Sequence, residues 1–268
     1  MMPYDDGQRS DGCVNALLRR VLDESRRGST PLSGRIVREW SHHGASCRIV
    51  FAELLPHEVS DAVNQERAMA VAGGYALEWK VYRHDRLPHL EQALVAAGYA
   101  AGDPETVLAL ELGNVAWDRF ESRPVDVRAV RDEAGLADVA HVARAVGRHD
   151  VDDEIAELGA SLRERPDSLS VYVAYADGQP VASGRVHYGQ HPAVAELAGG
   201  RTIATHRNKG YFTSVVSARL REAAARGCHF VFVDALPTSE PILRNLGFTA
   251  VTTTRPFTCD ARVDRTTR

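Results

Sequence analysis

One arrangement of elements occurs twice along the 268 residues. In the first half a helical run from Pro56 ends at Gly73-Gly74. The strand-like ALEWKVY follows, then the helical LPHLEQALVAAG closing on Gly98, then a strand opening on Tyr99. In the second half the helical FTSVVSARLREAAARG ends at Gly227. HFVFVDAL, SEPILRNLG closing on Gly247, and a strand opening on Phe248 come next. Glycine just past a helical run suits a left-handed C-cap, and an order that recurs with its stops in place is the mark of a repeated unit. Residue identity between the copies is slight, so the likeness rests on order. It requires an α/β (α+β) chain in which helices and strands alternate.

The flanks complete two domains. CVNALLRRVLDESRR spaces Val14, Leu17, Leu18, Val21 and Leu22 to one helical face, after a polar segment reaching residue 12. SGRIVREW and SCRIVFAEL read as strands joined by a turn at His42-His43-Gly44. The segment from Gly113 to Pro124, with Trp117 and Arg123, reads as a connector, giving domains at 1–120 and 125–268. Beyond it come the strand VDVRAV, one or two helices over 132–164, and LSVYVAYA. A hairpin at Asp177-Gly178 leads into PVASGRVHYG, and AVAELAGGRTIAT follows.

Composition narrows the partners. A net charge of −4 argues against general nucleic-acid binding. Cys13, Cys47, Cys228 and Cys259 are scattered, without CxxC spacing, so neither zinc nor a disulfide framework is expected. Adjacent histidines on a turn rarely converge on one ion, so no metal is expected there either. No early apolar segment resembles a signal peptide and no run is long enough to span a bilayer, which predicts a cytoplasmic protein without a membrane partner. A homodimer is a partner the sequence allows.

The most unusual stretch is THRNKGYF, Thr205 to Phe212, where two cations and a glycine lead into a helix. The first N–H groups of a helix have no internal acceptor, and the helix dipole is positive at that end. Gly210 lets an anion approach these donors, and Arg207 and Lys209 add charge. A basic surface turn before a helix is the bland alternative.

Four features in order resemble the GNAT superfamily of acyl-CoA-dependent N-acyltransferases. Arg207-Asn208-Lys209-Gly210-Tyr211-Phe212 is similar to that family's R/Q-x-x-G-x-G/A pyrophosphate loop. AVAELAGGRTIAT, HFVFVDAL and SEPILRNLGF sit where the family has its central strand, the strand after the cofactor helix, and a helix ending in Leu-Gly-Phe. The likeness covers about residues 125–259, and the first half resembles a truncated copy that has lost the phosphate loop. It implies a mixed, largely antiparallel sheet flanked by helices, with acetyl-CoA as acyl donor. It also implies cofactor binding by Thr202, Ile203, Ala204, Arg207, Asn208, Lys209, Gly210, Tyr211, Phe212 and Thr213. Phe212 departs from the pattern, standing where the family has a small residue.

The reaction so implied is transfer of an acetyl group to the primary amine of a small molecule by direct attack on the thioester. It needs a base, because an alkyl amine is protonated at neutral pH. Glu196 is the candidate, eleven residues before Arg207 as in the family's histone acetyltransferase branch. Strand alternation places it on one face with Ala198, Gly200 and Thr202. An exposed or ion-paired glutamate is the competing reading, as a Gly-Gly bulge without a ligand is for Gly199-Gly200. The family's general-acid tyrosine, four residues before the glycine of LGF, is replaced by Leu243; Tyr188, Ser239 and Glu240 are candidates by location alone. Asp234 either shapes the amine site or caps a turn. The acidic run from Asp150 to Glu154 either favours a helix N-terminus or attracts a cationic amine. Trp40, Trp79 and Trp117 read as core or interface anchors; Tyr172 and Tyr175 read as core residues, with a place for one of them on the acceptor cleft as the alternative. Two other functions stand beside the enzyme: a non-catalytic acyl-CoA sensor, and an aminoacyl-tRNA-dependent transferase, against which the negative charge weighs.

Overall fold

The structure is a computed structural model that describes residues 6–28, 35–41, 43–120, 124–189 and 191–260. His42, Arg123 and the ends of the chain lie outside these. Contacts divide the chain into two units: 1–107 with 235–240 and 250–268, and 108–234 with 241–249.

The first unit opens with α1 (Asp6–Arg27) and the antiparallel pair β1 (Ile36–Trp40) and β2 (Ser46–Ala52). Helix α2 (Val59–Gly73) then crosses to β3 (Ala76–Tyr82), which pairs parallel to β2 from Ser46↔Ala76 to Ile49↔Trp79. Gly74 ends α2 at φ 69°, the left-handed cap its sequence predicts. Helix α3 (Leu90–Ala96) and the short β4 (Ala100–Ala101) precede β5 (Glu105–Glu111), which straddles the division. Residues 250–260 of the last strand, β11 (Thr249–Asp260), lie in this unit, antiparallel to β3 from Tyr82↔Thr254 to Ala76↔Asp260. The expected boundary had placed that strand in the second domain. Its alternating residues Phe257 and Cys259 enter a core with Ile49, Val63, Leu77, Trp79 and Leu94. Leu18, Val21 and Leu22 of α1 are buried, but Val14 and Leu17 of the same stripe are exposed. Trp40, expected as an anchor, is 48% exposed and meets Tyr75 edge-on.

The second unit holds β6 (Asp126–Ala129), α4 (Glu133–Ala145), α5 (Val151–Glu164), β7 (Leu169–Ala176), β8 (Gln179–Tyr188) and β9 (Val194–Thr202). Helix α6 (Tyr211–Ala225), β10 (Phe230–Ala235) and α7 (Glu240–Asn245) follow. The strand order is β5-β10-β9-β8-β7-β6. β6 through β9 pair antiparallel, and β10 pairs parallel to β9. The β7–β8 turn has positive φ at both Asp177 and Gly178, the hairpin geometry the sequence called for. The crossover β9–α6–β10 therefore has the form of β2–α2–β3 in the first unit: strand, helix, parallel strand. α4 and α5 cover one face of this sheet, with Val139 and Leu158 against Leu169, Val171 and Val173. Tyr211 and Val215 of α6 pack on the other, against Ala174 and Ala182.

Candidate active site

β9 and β10 hold their parallel register from Val194↔Phe230 to Leu197↔Val233, and the pairing ends there. β9 nevertheless continues to Thr202 and β10 to Ala235, so two adjacent parallel strands part company at Ala198. On its other side β9 stays paired with β8, but irregularly. Ser183 faces Arg201 while Arg185 faces Ala198, so β9 carries one residue more than its partner there. This is a β-bulge, with Gly199 at φ 58°.

The bulge changes which residues share a face. Glu196 and Ala198 are ladder partners of His187 and Arg185, and a Cβ on Gly199 would lie 2.6 Å from Arg185 Nη1. Gly200 faces the opposite way, where a Cβ would meet the Phe212 ring at 2.9 Å. Thr202 pairs with Ala182, which packs on α6. The expected common face of Glu196, Ala198, Gly200 and Thr202 is thus broken by the extra residue. Glu196 and Ala198 look toward α4 and α5, and Gly200 and Thr202 toward α6. The small residues at 184, 199 and 200 leave room for side chains of the protein, namely Arg219, Arg185 and Phe212.

Past Thr202 the chain makes a 3-10 turn (Ala204–His206) and enters α6 through Asn208 at φ 58° and Gly210 at φ 86°. The first helical bond is Ser214 N–H to Gly210 C=O, 2.9 Å, so the amides of Tyr211, Phe212 and Thr213 precede it. No side chain caps this end and its first turn has no acidic residue. α4, by contrast, is capped by Asp132, and α5 begins with Asp152, Asp153 and Glu154. Arg207, Asn208 and Lys209 are exposed around the opening. Arg207 Nε donates to the Thr202 carbonyl at 3.3 Å, and His206 meets Tyr211 edge-on. Thr202 Oγ1 is buried with no hydrogen-bond partner. Ile203, expected to offer backbone groups to a ligand, has both engaged: its amide by Val181 O and its carbonyl by His206 N. The carbonyls of Thr202 and Ala204 are taken too, by Arg207 Nε and by the Arg207 amide, both at 3.3 Å. Phe212 turns its ring onto Gly200 and keeps its amide at the helix end. A helix end of this kind, with glycine, two cations and first-turn amides ahead of the first helical bond, fits a pyrophosphate.

Several charged residues lie behind this edge, of which the sequence had singled out only Glu154, in its acidic run. Glu154 of α5 accepts from Arg185 Nη1 at 2.6 Å and from both Arg201 Nη groups at 2.8 and 2.9 Å. Burial works against its charge, but the Arg201 hydrogen bond and the nearby Arg185 outweigh it, holding the carboxyl below its usual range. Arg185 is pushed down by burial, partly offset by Glu154, and its Nε donates to His187 Nε2 at 3.1 Å. On the α6 face, Arg219 is 2% exposed and bonds only carbonyls, those of Val215, Arg185 and Ala198. Burial pushes its guanidinium down to about 9, with Arg185 adding to the shift. Arg219 thereby ties α6 to both strands of the bulge. Only the contacts reveal these roles, since an arginine on a helix ordinarily reads as solvated and the acidic run gave no sign of its arginine partners; Glu154 does stand in the first turn of α5.

The remaining candidates are placed as follows. Leu243 is 1% exposed. Tyr188 has its hydroxyl buried without a partner, and Arg226 stacks on its ring. Tyr172 donates to Glu222 and Tyr175 to Asp138, so both hydroxyls are spent on helices. Glu240 accepts from Thr106 at 2.8 Å. In the first unit Asp23, His84 and Asp85 gather ligand atoms within 4.8 Å. Arg26 bonds both carboxylates there, so a guanidinium already supplies the positive charge.

Residues 138–248 match the model of the Acetyltransferase (GNAT) family, and the chain carries a GNAT acetyltransferase domain there. Among solved structures it is similar to a GCN5-related N-acetyltransferase from Kribbella flavida. The identity is 19% and the TM-score 0.63, over 91% of this chain and 93% of that one. It is also similar to a tandem GNAT protein from the clavulanic acid biosynthesis pathway, at 15% identity and TM-score 0.58, over 81% and 75% of the chains. A functionally unknown conserved protein from Staphylococcus epidermidis gives 14% and 0.63, over 89% and 96%. At such identities the likeness carries the fold. No curated protein matches the sequence. Among the described residues no helix is long and apolar enough to cross a membrane.

Proposed function

We propose that the second half of the chain is an acetyl-CoA-dependent N-acetyltransferase acting on the primary amine of a small molecule. The observation that carries this is the entrance to α6, an uncapped helix end with glycine and two exposed cations, beside strands that part after Leu197. The amides of Tyr211, Phe212 and Thr213, with Arg207, Asn208 and Lys209 around Gly210, hold the pyrophosphate. Backbone groups of Thr202 and Ala204 orient the pantetheine arm along the opened strand edge. Acetyl-CoA supplies an acyl group on a thioester carbon, from which an amine displaces the thiol. Glu196, on the α4/α5 face of the same strand, takes the proton the acceptor's ammonium must lose. We read the first half, residues 1–120, as a truncated copy of the same unit, with its helix between parallel strands but without the phosphate loop.

Leu243 favours a second reading, an acyl-CoA-binding protein without turnover, because a buried leucine donates no proton to a leaving thiolate. The two separate in one experiment: titrate the protein with acetyl-CoA, then follow thiol release with a panel of amines. Binding with amine-dependent thiol release supports the enzyme, and binding without it the sensor. No binding contradicts both.

A further inference from the structure

Arg219 of α6 carries a charge that the fold by itself does not use. Its hydrogen bonds run from Nε to the Val215 carbonyl at 3.1 Å and from Nη1 to the carbonyls of Arg185 and Ala198 at 3.0 and 3.3 Å. An uncharged amide can satisfy carbonyl groups, whereas a buried cation is ordinarily matched by a carboxylate. Among the described residues no carboxylate acts on this guanidinium. Burial and the like charge of Arg185 are the influences on it, and both push it down, to about 9. At neutral pH it is therefore a buried cation held by dipoles alone.

Its position is as informative as its charge. Nη1 bonds both carbonyls of the bulged pair Arg185↔Ala198, one residue past Leu197↔Val233, where β9 and β10 part. Nη2 makes no hydrogen bond among the described residues and lies against Gly200 in the opened stretch, 3.8 Å from where a Cβ there would stand. A Cβ on Gly184 would meet the guanidinium carbon at 2.8 Å, so glycine at that position makes the placement possible. The α6 entrance lies two turns earlier on the same helix, roughly 12 Å along its axis. With the pyrophosphate at the entrance, the thioester stands at the far end of the pantetheine arm, toward this cation. Leu243, 1% exposed, gives the sulfur no proton there.

We propose that Arg219 balances the negative charge of the departing thiolate, replacing a proton donor by a fixed positive charge. The C–N bond forms as the C–S bond breaks, and the electron pair of the C–S bond stays on sulfur. Of the two protons the acceptor's ammonium gives up, one goes to Glu196 and one to water. The charge that develops on sulfur then meets a cation already in place, at a site where little water screens it. This inference rests on the acyltransferase reading for the place of the sulfur, and its test needs no acceptor.

The experiment follows the ultraviolet absorbance of the CoA thiolate as pH is raised, on the full chain saturated with CoA. The same protein with desulfo-CoA is the blank for its own tyrosines and cysteines. The bound thiol is expected to ionise at least about one pH unit below free CoA, as an opposite charge nearby produces, giving about tenfold more thiolate per thiol below its midpoint. Arg219→Met should return the ionisation to that of free CoA or higher, and Arg219→Lys, which keeps the charge, should hold most of the shift. An ordinary thiol in the parent protein overturns the proposal, whether or not Arg219→Met folds. So does a lowered thiol that persists in folded Arg219→Met, or a shift that is lost in folded Arg219→Lys. A parent chain that binds no CoA removes the acyltransferase reading and this inference with it, whereas binding with an ordinary thiol removes the inference alone.

Discussion

The two helices that join parallel strands are built to the same plan and charged in opposite senses. α2 is entered through a 3-10 turn, Pro56–Glu58, whose Glu58 accepts from the Leu55 amide at 2.7 Å and from Arg35 at 2.6 Å. The protein thus supplies its own carboxylate at that end, and Asp61 follows in the first turn. α6 is entered through Gly210 with no side-chain cap, no acid and two cations. Further along, α2 buries Glu66, paired with Arg38, whereas α6 buries Arg219 against carbonyl groups alone. Helix, crossover and closing glycine recur and neither helix has a side-chain cap, yet one helix end carries the carboxylates of Glu58 and Asp61 and the other the cations of Arg207 and Lys209. The strand–helix–strand crossover is shared between the halves, and the charge at the helix end is what differs.

Giving α6 the carboxylate that α2 has attacks this contrast most directly. Gly210→Glu should weaken acetyl-CoA binding more than about 100-fold, through like-charge repulsion at the phosphate and loss of close approach. Gly210→Ala is the control. It shares the left-handed strain, about 1–2 kcal/mol, without the charge, and should stay within about tenfold of the parent. Similar affinities in the two variants would remove the electrostatic distinction. Glu196→Gln should leave acetyl-CoA affinity intact and slow turnover about 100-fold, as loss of a general base does, with the rise of rate across the base's titration abolished. An unchanged rate–pH profile would exclude Glu196 as the base.

Two smaller effects sharpen the comparison from the packing side. Glu66→Gln strips the carboxylate partner from Arg38. Breaking a buried pair typically costs about 3–5 kcal/mol; Arg38 retains about a third of its exposure, so about 2 kcal/mol is expected by urea denaturation. A change below about 0.5 kcal/mol would mean that the buried charge of α2 contributes nothing. Gly200→Ala places a Cβ 2.9 Å from the Phe212 ring and should cost about 1 kcal/mol, the low end for overpacking. In a Phe212→Leu background that cost should largely vanish. Full additivity of the two substitutions would show that ring and glycine are not packed against each other.

Much of this was legible in the sequence because it is local. Gly74, Gly98, Gly227 and Gly247 all take positive φ after their helices, and Asp177-Gly178 makes its hairpin. The loop Thr205–Phe212 sits where a helix begins. What failed was what depends on partners far along the chain. One extra residue at Gly199 reversed the facing of everything after it, and strict alternation has no means of showing a bulge. β11 joins the first unit through a pairing with β3 some 180 positions earlier, which periodicity cannot see. Arg185, Arg201 and Arg219 were passed over because arginine on an amphipathic element ordinarily reaches solvent. Here Gly184 made room for Arg219 and Gly199 for Arg185, and Arg201 is held by Glu154.

The most direct test of the central claim, that the α6 entrance is an acyl-CoA pyrophosphate site, is calorimetric titration of the purified chain with acetyl-CoA. The sample is first freed of co-purified CoA, and adenosine diphosphate serves as reference. The account predicts saturable one-to-one binding in the micromolar range, about −8 kcal/mol. No heat from a sample shown to be folded would contradict it, and the cations at Arg207 and Lys209 would then be an ordinary basic turn.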